Sequence, residues 1–106
     1  MTANPAFRLA AATQHDITIV DVAADGTATT THTLTAPATS SVAIDPLNPN
    51  RIVAGTFDRG PWLTIDGGRS WRHIGHGVHS THISAVAMSA ARHNHAGSGI
   101  YIGTEP

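Results

Sequence analysis

The 106-residue sequence contains no cysteine and no lysine. The first absence excludes disulfides, thiolate zinc sites and cysteine nucleophiles. The second removes the lysine that a Walker loop uses to grip phosphate. All six basic residues are arginine, which reads as coding bias rather than function. Charge is sparse: 12% of residues, with a formal net charge of −1. Nothing in that balance points to nucleic acid or an anionic membrane as partner. No apolar run approaches the roughly 20 residues of a membrane helix. The opening "MTANPAFRLAAAT" lacks the basic head and apolar stretch of a secretory signal, so the expected setting is cytoplasmic. The length allows one domain at most.

What is present is short apolar runs punctuated by turn residues every eight to twelve positions, a pattern of strands rather than helices. The runs predict strands over Phe7–Thr13, Ile17–Val22, Thr27–Thr35, Ser41–Ile44, Arg51–Thr56, Trp62–Ile65, Ser70–Ile74, Ile83–Met88 and Ile100–Thr104. "ADGT" at Ala24–Thr27 predicts a hairpin turn. "DPLNPN" at Asp45–Asn50 predicts another, because its prolines cannot donate to a central ladder.

The runs also copy one another. "RLAAAT" (Arg8–Thr13) aligns with "RIVAGT" (Arg51–Thr56) at a shift of 43, and "ITIVD" (Ile17–Asp21) with "WLTID" (Trp62–Asp66) at 45. "SVAI" (Ser41–Ile44) aligns with "AVAM" (Ala85–Met88) at 44, and "IVAGT" (Ile52–Thr56) with "IYIGT" (Ile100–Thr104) at 48. Four matches in consistent order, with about 45 residues and four strands per period, are the signature of a β-propeller blade. The expected fold is all-β: a partial propeller of four-stranded antiparallel blades, about two to two and a half of them, not closed. Residues 1–36 form an incomplete first blade, 37–82 a complete one, and 83–106 the first half of the next.

"TIDGGRSW" at Thr64–Trp71 is the most distinctive stretch. Asp66 precedes two glycines, and glycine takes positive φ without steric cost. An aspartate there accepts hydrogen bonds from backbone N–H groups two or three residues on, while Trp71 opens the next strand with a large apolar face. Thr64, Asp66, Gly68, Ser70 and Trp71 thus suit a hairpin staple. A Walker loop is excluded by the missing lysine, and an EF-hand by its missing carboxylates and terminal glutamate. A catalytic Asp66 is set aside because fold-level motifs rarely are the site.

The stretch resembles the Asp-box of BNR-repeat proteins, S/T-x-D-x-G-x-T/S-W, and the text from Arg8 onward is similar to that superfamily. It includes sialidases, other glycoside hydrolases, sortilin-type receptors and bacterial propellers. The resemblance implies that the Asp-box is a structural turn remote from any reaction centre. It also implies a carbohydrate or protein ligand for the full-length form.

Antiparallel order within a blade puts the Asp-box and "DPLNPN" on one face. Phe57–Pro61, Gly75–His82, Ala36–Ser40 and Glu105 fall on the opposite face, where propellers usually hold ligands. Candidate ligand residues there are Asp58, Arg59, His79, His82 and Glu105. "H-G-V-H-S-T-H" raises a metal reading through His76, His79 and His82, since imidazoles suit zinc and other transition metals. No second-shell partner is identifiable, so a polar connecting loop is the preferred reading and no metal or cofactor is expected. "HNH" at His93–His95 is read as a loop.

"FRL" at Phe7–Leu9 is similar to the sialidase F-R-I-P motif, whose arginine binds a substrate carboxylate. The proline is missing, with Ala10 in its place, and Arg8 aligns with Arg51, so the preferred reading is an arginine that opens a repeated strand. Tyr101 and Glu105, the sole tyrosine and glutamate, are not placed as a nucleophile and its base. The expected function is therefore a non-catalytic propeller segment, a ligand- or partner-binding scaffold in its full-length form. The alternatives are the N-terminal part of a sialidase-like or other glycoside hydrolase, and a truncated reading frame without function. Because a stack of blades normally needs about three repeats, open flanks should make the isolated chain weakly stable or self-associating.

Overall fold

The computed structural model describes residues 6–35, 39–74, 82–92 and 98–104. Nine strands follow in order: β1 Phe7–Ala12, β2 Ile17–Val22, β3 Ala28–Thr33, β4 Thr39–Asp45, β5 Asn48–Thr56, β6 Pro61–Thr64, β7 Arg72–His73, β8 Ile83–Arg92 and β9 Ser98–Thr104. They form three antiparallel sheets: sheet 1 in the order β1-β2-β3, sheet 2 as β4-β5-β6-β7, and sheet 3 as β8-β9. None is closed, and the described residues contain no helix. Among the described residues, no helix is therefore long and apolar enough to cross a membrane.

Turn chemistry sets the registers. Between β2 and β3, Gly26 adopts φ +90° and donates to the Ala23 carbonyl at 2.9 Å. The Asp25 carboxylate accepts from the Thr27 N–H at 2.9 Å. The turn lies one residue before the Ala24–Thr27 position expected of it, with Ala24 and Asp25 central and Gly26 closing it.

The "DPLNPN" stretch is shorter as a turn than its prolines suggest. Only Pro46 and Leu47 form the bend, and β5 already begins at Asn48, with Pro49 inside it. The ladder is irregular there, shifting register between Ile44 and Asp45, and β6 pairs with β5 only from Ile52 on. A proline at such a frayed strand start forfeits no central ladder bond. Arg51, expected to open its strand, is therefore its fourth residue. Asp45 holds the bend, accepting from Leu47 N–H at 2.8 Å and from Arg51 Nη1 at 3.1 Å.

The sheets stack, with β4 against β1 on one side and β8 on the other. Between sheets 1 and 2 lies a core of Ile17, Ile19, Ile52 and Ala54, flanked by Ala10, Ala12, Leu34, Val42, Ile44 and Trp71. On the far side of sheet 2, Gly55 brings its backbone against the buried Ile83 of β8. Strand alternation explains this division: Ile52 and Ala54 face sheet 1, Val53 and Gly55 face sheet 3.

Candidate functional site

The Thr64–Trp71 turn closes on itself. Asp66 Oδ1 accepts from Thr64 Oγ1 at 2.7 Å and from the Ser70 N–H at 3.0 Å, and Oδ2 accepts from Ser70 Oγ at 2.6 Å. Thr64 Oγ1 in turn accepts from the Gly68 N–H at 3.0 Å and the Asp66 N–H at 3.3 Å. Backbone N–H groups three and four residues on, at Arg69 and Ser70, both bear on the Asp66 carboxylate, and Gly67 and Gly68 take positive φ, +75° and +97°, within the turn. The Ser70 and Thr64 hydroxyls, with the Ser70 amide, hold the Asp66 carboxyl far below its usual range. An acid so committed to its ionised form is a poor proton donor.

The turn also reaches beyond its own hairpin. Thr33, at the end of β3, donates its hydroxyl to the Gly68 carbonyl at 2.5 Å and accepts from Trp71 Nε1 at 2.8 Å. Gly67 donates to the Asn50 carbonyl at 2.9 Å. A side chain at Gly68 would meet Ile19 and Thr33 at 3.1 Å. The eight-residue box thus lies across the face of sheet 1 and latches two sheets together. Trp71, one residue before β7 rather than within it, packs on the core between them.

Arg8 belongs to the same latch. Its guanidinium forms a fork on Asp21, Nε to Oδ1 at 2.5 Å and Nη2 to Oδ2 at 2.9 Å. Nη1 donates to the Pro49 carbonyl at 2.7 Å. The Asp21 hydrogen bond raises the Arg8 pKa further. The arginine is occupied by its own protein and joins sheet 1 to the start of β5.

The opposite end holds the candidate ligand residues. Asp58 and Arg59 ride on a turn locked by Thr56, whose hydroxyl accepts from the Arg59 N–H at 2.8 Å and donates to the Gly60 carbonyl at 2.9 Å. His73 Nε2 lies 3.0 Å from the Arg59 carbonyl. His82, entering β8, meets the Phe57 ring edge-on at 5.1 Å between centroids. Asp58, Arg59 and His82 are thereby brought to one end. His76, His79 and Glu105 lie outside the described residues. Among the described residues, no three histidines or carboxylates are grouped to hold a metal ion.

Sequence reasoning missed Asp16 and His32, which share this end. Asp16 Oδ2 lies 3.0 Å from His32 Nδ1, its Oδ1 accepts from Thr13 and Thr18 at 2.8 and 3.0 Å, and its carbonyl accepts from Thr39 at 2.9 Å. Its pKa is lowered, first by Thr13, with Thr18 and His32 adding to the effect. Thr18 also contacts His32 through Nδ1, at 3.1 Å. A nucleophile relay needs the hydroxyl and the carboxylate on opposite ring nitrogens, so these three do not form one. Counting outward from a two-residue Asp25-Gly26 turn would pair Thr18 with Thr33; the loop is Ala24-Asp25-Gly26, which shifts the register by one and pairs Thr18 with His32.

Compared with known proteins, the chain matches no family model, no curated protein and no solved structure. Its likeness to Asp-box repeats rests on Thr64–Trp71 and on the internal repeat.

Proposed function

We propose that the chain is a non-catalytic segment of an Asp-box β-propeller, its three sheets being successive blades, and that it serves as a ligand- or partner-binding scaffold. The observation that carries this reading is the latch. Both oxygens of the motif's carboxylate are spent on its own turn, and that turn is seated on the neighbouring sheet. Such a residue positions layers and leaves recognition to the other end. There Asp58, Arg59, His82, Asp16 and His32 offer charge of both signs on turns pinned from below, the rigid, polar presentation that carbohydrate hydroxyls or a polar peptide would use.

The glycosidase reading draws less support. Its carboxylate-binding arginine would be Arg8, and that guanidinium is already neutralised by Asp21. Cytoplasmic placement remains part of the proposal. The test is amide chemical-shift mapping of the isotope-labelled chain against neutral glycans, sialosides and polar peptides. Shifts gathered at Asp58, Arg59 and His82 are expected. Shifts centred on Asp66 and Ser70, or release of a chromogenic aglycone above the buffer rate, would refute it.

A further inference from the structure

The two outermost sheet faces are complementary, and the repeat says what each accepts. In sheet 2, Ile52 and Ala54 are 0% exposed because sheet 1 covers them, and Val53 is 0% exposed on the face toward sheet 3. The repeat carries Ile52 and Ala54 onto Leu9 and Ala11 of β1, and Val53 onto Tyr101 of β9. Leu9 is 58% exposed and Tyr101 57%. Leu9 thus occupies a position that is buried by a preceding sheet, on a side where the described residues supply none. Tyr101 occupies a position buried by a following sheet, where the described residues supply none.

Neighbours extend both faces. Phe7, 52% exposed, and Ala11 flank Leu9 on β1, and Val22, Val20 and Thr18 stand opposite Phe7, Leu9 and Ala11 on β2. Ala85 and Ala87 of β8 are exposed beside Gly103 and Tyr101, and the repeat carries them onto Ser41 and Ala43 of sheet 2. Asp16 and His32 adjoin the first patch through Thr18; the other described residues named in the two patches are uncharged.

The geometry points to a head-to-tail pair of chains, in which the Tyr101 face of one copy covers the Leu9 face of the other, and the reverse. The inference rests on the repeat-module part of the function proposed above. The occupant is a second copy because the contact reproduces, between chains, the packing already made between sheets 1 and 2. Two copies stack six sheets in a continuous order, within the four to eight that a closed ring of this kind takes. The interface is heterologous: each copy lends a different face. Closure into a ring of two satisfies both faces of both chains.

The test uses the 106-residue chain in sedimentation velocity at micromolar concentrations, with circular dichroism to check that each variant keeps its strands. The wild-type chain is expected at twice its 11.0 kDa monomer mass. Leu9→Arg and Tyr101→Arg alter exposed side chains and each should weaken association by roughly tenfold or more. Mixing the two variants should restore pairing, since the Tyr101 face of the first and the Leu9 face of the second remain intact. A monomeric wild type overturns the inference, as does a mixture that stays monomeric while both variants are folded. Masses beyond two copies, growing with concentration, would mean an open filament and would also overturn the closed pair. Ligand mapping reads a different end of the molecule, so a dimer that binds no glycan defeats only the ligand proposal, and a monomer that binds one defeats only this inference.

Discussion

Replacing Gly55 by alanine adds one methyl group at the tightest point of the molecule. An ideal Cβ there would sit 2.5 Å from Ile83 Cγ2, 2.6 Å from Ser41 Oγ and 2.9 Å from Ile83 Cβ. Ile83 is fully buried, so its side chain has no open space to swing into and the sheets must part. Overpacking of this kind costs about 1–3 kcal/mol. Against it stands the gain from a stiffer unfolded chain, about 0.4–1 kcal/mol for glycine to alanine. The net loss is then about 1–2 kcal/mol. With a urea slope near 1 kcal/mol per molar for a small protein, the unfolding midpoint falls by about 1–2 M at unchanged slope. Protein concentration must be fixed, because association would shift the midpoint too. Gly103→Ala is the control: its Cβ would meet Ser84 Oγ at 3.3 Å and Ala85 at 3.8 Å, and little change is expected. An unchanged or raised midpoint for Gly55→Ala would refute the packing of sheet 3 on sheet 2. Ser41→Ala adds a second reading, since the Ser41 hydroxyl is buried without a hydrogen-bond partner. Deleting it should be neutral or stabilising by up to about 1 kcal/mol and should soften the Gly55→Ala penalty.

Thr33→Val keeps the side-chain shape but orphans the Gly68 carbonyl and the Trp71 indole N–H, which should cost about 1–3 kcal/mol. Thr33→Ser retains the hydroxyl and should recover most of that loss in the same denaturation assay. Acid should unfold the chain progressively. Asp66, Asp16 and Asp25 all titrate below the ordinary 3.8 when folded. The folded state therefore binds fewer protons, so stability is full above about pH 4 and declines as pH falls below it. Asp66→Asn should flatten that decline in thermal melts across the acid range; an equally steep decline would count against the carboxylate network.

Local chemistry carried the strands well. Ile17–Val22 was readable residue for residue, because alternation is clear and an Asp-Gly turn ends it. Prolines misled at Asn48–Thr56, where strand propensity yielded to an irregular strand start that needs no ladder bond. The Asp66 turn was readable as a staple because its donors are neighbours in the chain. Its hold on Thr33 was not, since that contact spans 38 residues between Thr33 and Trp71 and depends on how two sheets stack. Arg8 shows the same limit from the other side. Spacing paired Arg8 with Arg51 as strand openers, whereas they are the second residue of β1 and the fourth of β5, and only the fold brings Asp21 and the Pro49 carbonyl to the Arg8 guanidinium. His32 was overlooked because an Asp25-Gly26 turn sets Thr33 opposite Thr18, and only the longer Ala24–Gly26 loop brings His32 there.

The middle sheet is gripped unevenly by its neighbours. Toward sheet 1 it extends an indole, a glycine carbonyl and the Pro49 carbonyl that Arg8 clasps; toward sheet 3 it offers the close backbone of Gly55, the buried Val53, the Phe57 ring on His82 and the Ser40 hydroxyl on the Ile83 carbonyl. Sheet 3 is also a two-stranded hairpin, which has little stability of its own. Heat or force should strip away the last layer while the first two still hold, so amides at Val86 and Ile102 should exchange with solvent well before those at Ile19 and Ile52.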